Sequence, residues 1–228
     1  MRHDTHTQRI LNLLRRKGML RPSDLDAIHA SRVVLTRMTA GGQLERVGRG
    51  IYRLPNSQGT EYESLATIAI KVPQAVFCLL TALQFHELTT QLPRKVWIAM
   101  PRGSHVPKIE YPPIRMVQSV GKAYSEGIEV FKRDRVQLRV YCVAKTVVDC
   151  FKHRNKIGLD VALEALKDAR SKKKVIANDL WHFAKVCRVA NVMRPYLEAT
   201  ERSGHDYSNR AGASAHSRHH AQAKGRQS

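Results

Sequence analysis

Residues 31–54 read Ser31-Arg32-Val33-Val34-Leu35-Thr36-Arg37-Met38-Thr39-Ala40-Gly41-Gly42-Gln43-Leu44-Glu45-Arg46-Val47-Gly48-Arg49-Gly50-Ile51-Tyr52-Arg53-Leu54. Val34, Leu35 and Met38 recur at the spacing of one helical face, Ser31 is a good N-cap, and Gly41-Gly42 ends the run. The period then changes. Leu44–Val47 and Ile51–Leu54 are two short strand-like pieces joined by Gly48-Arg49-Gly50, a glycine-rich connection of hairpin length.

Working upstream, Thr5–Lys17 carries Ile10, Leu13 and Leu14 at helical spacing and closes on Gly18. A second short helix is expected after Pro22. Ser23 would be its cap, Asp24 and Asp26 would lie in its first turn, and Leu25 and Ile28 would face inward. Three helices followed by a hairpin is the winged helix-turn-helix plan, expected over residues 1–54. With Val34, Leu35 and Met38 packed inward, Arg32, Val33, Thr36 and Arg37 project outward from the third helix. In this plan that helix reads the major groove, where base pairs are distinguishable. Arg32 and Thr36 are four apart and share a face; an arginine can bond guanine bidentately, and a threonine can touch a base or a phosphate. Arg46 and Arg53 lie on the hairpin strands, Arg49 lies at its tip, and Ser31 can donate to a phosphate at the helix start. The candidate DNA-binding residues are therefore Ser31, Arg32, Thr36, Arg37, Arg46, Arg49 and Arg53.

Charge agrees with a polyanionic partner. The 228 residues carry a formal net charge of +20 and a sequence pI near 10.3. Residues 1–54 hold eleven Lys/Arg against four Asp/Glu, residues 55–200 twenty-three against thirteen, and residues 201–228 five against two. Each segment is basic, and nucleic acid is the commonest partner of such a balance. Aromatic content of 6% disfavours a base-stacking platform for single strands.

Downstream, Pro55-Asn56-Ser57-Gln58-Gly59 reads as a linker. Helices are expected over Glu61–Lys71 and Leu80–Glu87, and strands over Lys95–Met100 and Ile114–Val117. A hairpin is expected from Ile128–Phe131 and Val136–Tyr141, turning around Asp134. Thr146–Lys152, with Thr146 as cap, Leu159–Ala169, Asp179–Val186 and a piece near Met193–Glu198 read as helices. The expected class is α+β: a winged helix-turn-helix domain over 1–54, a mixed α/β domain with a helical C-terminus over 60–200, and a disordered basic, His-containing tail over 201–228.

Motifs for catalysis are sparse. No phosphate-binding Gly-x-x-x-x-Gly-Lys, His-Glu-x-x-His or Gly-x-Ser-x-Gly is present, and Asp/Glu-x-Lys, a common nuclease core, does not occur. Gly103-Ser104 matches the opening of a nucleotidyltransferase loop, but no paired acids follow it. His86-Glu87 is a lone acid/base pair of a kind that is more often structural. Cys150 and His153 offer two ligands without a second pair, and buried thiols are the simpler role. No enzyme activity, cofactor or metal is expected. Polar residues 1–9 do not form a signal peptide, no apolar run reaches membrane-spanning length, and no Cys-x-x-Cys exists. A cytoplasmic protein with reduced thiols and no membrane partner is expected.

The stretch Gly48-Arg49-Gly50-Ile51-Tyr52-Arg53-Leu54 resembles the wing of the AbiEi-type antitoxins of type IV toxin–antitoxin and abortive-infection systems. The resemblance continues through Phe77-Cys78-Leu79-Leu80-Thr81-Ala82-Leu83 with His86-Glu87-Leu88. It extends to Lys145-Thr146-Val147-Val148-Asp149-Cys150-Phe151 and to Gly158-Leu159-Asp160-Val161-Ala162-Leu163-Glu164-Ala165-Leu166, in the family's order. It implies a protein with two roles. The N-terminal winged helix would bind and repress its own promoter, and the C-terminal domain would counter a nucleotidyltransferase-like toxin, with or without a stable complex. Lys145 departs from the arginine most often expected there, keeping the charge but losing the planar fork. Two rivals follow from the residues: a repressor whose second domain senses a small ligand, and a nuclease targeted by the winged helix. Oligomeric state, operator and toxin target are not written in the sequence.

Overall fold

Leu14, Leu20, Leu25, Leu35 and Leu44 are at most 3% exposed and come together in the N-terminal unit, which the computed structural model builds as a small helical cluster against three strands. The described residues are 3–55, 62–133 and 135–199. The centre of the expected linker, Asp134 and the expected tail lie outside them.

The N-terminal unit runs α1 (His3–Lys17), β1 (Met19–Leu20), a 3-10 helix (Pro22–Ile28), α2 (Val33–Ala40), β2 (Glu45–Gly48) and β3 (Ile51–Arg53). The strands form an antiparallel sheet in the order β1-β3-β2. Met19 pairs with Arg53 and Leu20 with Tyr52, and the β2–β3 register slips between Arg46 and Gly48. Gly50 sits at φ +70°, a left-handed conformation that a β-carbon would strain, so the turn at Arg49-Gly50 requires glycine.

Three local expectations are corrected here. The second helix is 3-10 rather than α, and its cap is Arg21 rather than Ser23. The Asp24 carboxylate accepts the Arg21 backbone N–H at 2.7 Å and the Lys17 ammonium at 2.9 Å, which fixes the cap two residues earlier. The start of α2 is Val33, with Arg32 at the cap position and no side-chain cap bond. Ser31 instead supplies its carbonyl to the Val34 N–H, an i→i+3 bond that tightens the first turn.

The remainder is built on a five-stranded mixed sheet in the order β6-β5-β4-β8-β7, from β4 (Val76–Phe77), β5 (Val96–Pro101), β6 (Ile114–Ser119), β7 (Ile128–Arg133) and β8 (Val136–Tyr141). β4 runs parallel to β8 and β5 parallel to β6, whereas β4/β5 and β7/β8 are antiparallel. Alternation along β5 assigns its faces. Trp97 and Ala99 enter one hydrophobic cluster, and Ile98 and Met100 enter the other. The first cluster is closed by helices: α4 (Leu79–Phe85), α6 (Val143–Lys152), α8 (Leu159–Ser171), α9 (Ala177–Val186) and the helical residues 190–199. The second is closed by α3 (Glu63–Lys71) and by Met19 and Ile51 of the N-terminal sheet. Short helices α5 (Lys122–Ser125) and α7 (Arg154–Ile157) complete the order.

α6 is the most deeply buried helix of this half, and it corrects a further expectation. Thr146 lies inside it rather than at its cap, and its hydroxyl donates to the Tyr141 carbonyl at 3.1 Å. That carbonyl also accepts His86 Nε2 at 2.7 Å. Lys145, fully buried, forms a salt bridge to Asp149 one turn later and holds its ammonium 4.1 Å from the Tyr141 ring centre. The Cys187 thiol donates to the other Asp149 oxygen at 3.5 Å. Burial works against the charged lysine, but the adjacent Asp149 carboxylate outweighs it and holds the Lys145 pKa above its ordinary value. A single ammonium meets the carboxylate here, without a guanidinium's fork.

Candidate nucleic-acid interface

α2 divides its side chains between core and solvent. Val34, Leu35 and Met38 are 8%, 1% and 2% exposed and pack with Ile10, Leu14 and Leu25. Arg32, Val33, Thr36 and Arg37 are exposed on the opposite side, and Val33 is 74% accessible. The Arg32 guanidinium stands 3.9 Å from Asp26 with both side chains largely exposed, a contact that water screens. An apolar residue this open among cations departs from a purely solvated helix face. Ser31, also exposed, lies at the same end.

The hairpin splits its arginines. Arg46 and Arg49 are exposed, and the Arg46 Nε lies 3.4 Å from the Gly48 carbonyl. Arg53 is held differently. Its side chain is 15% exposed and bonds Glu45 through Nε at 2.9 Å and Nη2 at 3.2 Å, while Nη1 meets Glu63 at 2.9 Å. The Glu45 and Glu63 carboxylates raise the Arg53 pKa further, and the Arg53 guanidinium in turn lowers that of Glu45. Six of the seven candidate residues are thus presented to solvent on α2 and the hairpin, and Arg53 is turned to ion pairs within the protein.

The hairpin is not an isolated element. Arg21 Nη1 donates to the Ile70 carbonyl near the end of α3 at 2.9 Å, and Met19 and Ile51 pack with Leu65 and Ile68 of that helix. Beside the turn, Arg49 lines a cleft with Lys71, Val72, Pro107, Lys108, Ile109 and Glu110. No motif in the sequence points to Lys71 and Lys108 at this place. Both lie in segments without a motif, and only the fold carries them to the hairpin.

Elsewhere, four free cysteines are present, of which Cys78, Cys150 and Cys187 are buried. Burial raises their thiol pKa values, that of Cys187 to about 11. Among the described residues no three His, Cys, Asp or Glu side chains gather as a metal site, and no helix is long and apolar enough to cross a membrane.

Residues 8–55 match the model of a family described as a transcriptional regulator, AbiEi antitoxin. The matched residues run from within α1 to just past the end of the hairpin, so the segment with the outward arginines is the segment that is similar to these regulators. The family resemblance read from the sequence is supported there. No curated protein matches the chain.

Proposed function

We propose that this protein is a DNA-binding transcriptional autorepressor and the antitoxin of a type IV toxin–antitoxin system. In this reading the N-terminal unit is a winged helix-turn-helix, α2 enters the major groove and the β2–β3 hairpin is the wing. The observation that carries it is the exposed basic side of α2 and the basic hairpin tip, both within the segment similar to AbiEi regulators. Arg32, Thr36 and Arg37 would meet base edges, and Ser31, Arg46 and Arg49 would meet phosphates. The second unit would counter a nucleotidyltransferase-like toxin in the cytoplasm, without enzyme activity of its own.

Two measurements test the two halves. Mobility shifts of the full chain on its own upstream promoter across a salt series should show log affinity falling nearly linearly with log salt. An affinity flat in salt, or no preference over unrelated duplex, contradicts the repressor half. Co-expression with the adjacent downstream gene in a growth assay tests the other half. An Arg32→Ala/Arg49→Ala variant that has lost promoter binding should still protect. Loss of protection together with DNA binding would mean that repression alone explains the antitoxicity.

One observation favours the ligand-sensing alternative. A cavity of about 380 Å³ opens between Tyr62, Phe85, Arg94 and Tyr111, large enough for a small metabolite. Promoter release by a small molecule that also raises the melting temperature would favour it over the toxin-directed role.

A further inference from the structure

We infer that the DNA-contacting surface continues from the hairpin onto the second unit, where Lys71 and Lys108 bind duplex phosphates beside Arg49. This rests on the DNA-binding reading above and extends it to residues outside the segment similar to AbiEi regulators.

Three cations from three separate segments face one cleft. Arg49 comes from the β2–β3 turn, Lys71 from the last turn of α3, and Lys108 from the loop between β5 and β6. The Lys71 ammonium lies 3.6 Å from where a β-carbon on Gly48 would stand, so it reaches the hairpin strand itself, alongside the turn. Gly48, having no side chain, leaves that approach open. The one carboxylate in the lining is Glu110, and neither lysine makes an ion pair among the described residues. Lys17, Lys122, Lys145, Lys172 and Lys174, by contrast, each have a carboxylate partner.

The negative end of the α3 dipole accounts for a lysine at Lys71. It does not account for Lys108, on a loop whose backbone is restrained by Pro107 and by the Ile109 N–H bonded to the Pro107 carbonyl at 3.0 Å. Converging like charges repel one another in the free protein, and a polyanion laid across them removes that repulsion. Lysine is a compact point charge that suits phosphate oxygens without base preference. A duplex engaged by α2 and the hairpin would thus have its flanking backbone carried over Lys71 and Lys108.

The test uses the full chain, with Lys71→Gln/Lys108→Gln compared with a control pair, Lys167→Gln/Lys185→Gln, that removes equal charge from exposed positions on α8 and α9. Each lost phosphate contact should make the salt slope shallower by about one, so the first pair should lose about two with base preference unchanged, and the control pair should match the wild type. Hydroxyl-radical footprints should shorten at one flank for the first pair alone. Should thermal melting show the double variant to be misfolded, Lys108→Gln alone, on the exposed loop, should lose about one unit of slope. Wild-type slope and footprint in the Lys71/Lys108 variant would overturn the inference while leaving the repressor reading intact. Equal losses in both pairs would also overturn it, in favour of general charge. Absence of salt-dependent binding by the wild type would overturn both.

Discussion

Arg53 Nη1 and the Glu63 carboxylate lie 2.9 Å apart, joining the last strand of the N-terminal sheet to the first turn of α3. The same guanidinium holds Glu45 on the neighbouring strand. One half-buried arginine therefore ties the hairpin both to itself and to the helix beneath it.

Glu63→Gln should loosen that tie without touching the outward face of α2. For a partly exposed pair the loss should be about 1 kcal/mol or less, a fall in melting temperature of about 2–4 °C at most for a chain of this size. Promoter sequence preference should be unchanged. A changed preference with unchanged melting would place Arg53 on the DNA rather than in the protein.

Arg32→Ala and Arg49→Ala should separate two kinds of contact. Loss of a base-edge contact at Arg32 should cost about 1–3 kcal/mol of discrimination between operator and mismatched sites, whereas Arg49→Ala should weaken all duplexes alike. Competition binding with single-base operator variants measures this. The reverse pattern would exchange the roles assigned to helix and hairpin.

Lys145→Met should destabilise by about 3–5 kcal/mol, because it leaves the Asp149 carboxylate buried and unpaired. Lys145→Met/Asp149→Leu should cost less than that single change, since no charge is then stranded. Urea denaturation of the singles and the double gives the coupling. Additive costs would mean that the pair contributes shape alone.

His153 gives stability an acid-side pH dependence. Burial, opposed by Asp149 and reinforced by the nearby Lys156, Lys152 and Lys145, lowers its pKa from 6.5 to about 4. The unfolded chain binds a proton at this site more readily, so its contribution is intact above pH 6.5 and is lost as pH falls toward about 4. His153→Gln should flatten melting temperature against pH across that window. An unaltered acid limb would assign it to other groups.

Ile51 is fully buried with Leu65 and Ile68, while both tryptophans, Trp97 and Trp181, belong to the second unit. Ile51→Ala should cost about 2–5 kcal/mol. The shift should appear in tryptophan fluorescence as well as in overall helicity. Fluorescence that melts as in the wild type would show the two units unfolding independently.

The first fifty residues were legible because α1 and α2 carry amphipathic stripes long enough to show their period, with glycines at their ends. β1 and β4, two residues each, are too short to show one and exist because longer neighbours pair with them. Ser23 and Asp24 are adjacent good cap formers, and spacing alone does not decide that Asp24 supplies the bond, reaching back to the Arg21 N–H. Arg53 looked like its exposed neighbours Arg46 and Arg49, because what distinguishes it is Glu63, beyond the linker. Lys71 and Lys108 escaped for the same reason, being brought to the hairpin by the packing of α3 and the β5–β6 loop.

The division of α2 into a buried side of Val34, Leu35 and Met38 and an open side of Arg32, Val33, Thr36 and Arg37 has an evolutionary consequence. Substitutions on the open side remove no packed volume and strand no buried group, so they fall in the class that changes stability by less than about 0.5 kcal/mol. Related lineages can therefore rewrite these four positions one at a time while folding stays intact at every step. Whatever surface they recognise can drift in parallel, so that closely similar scaffolds diverge into pairs that no longer cross-react.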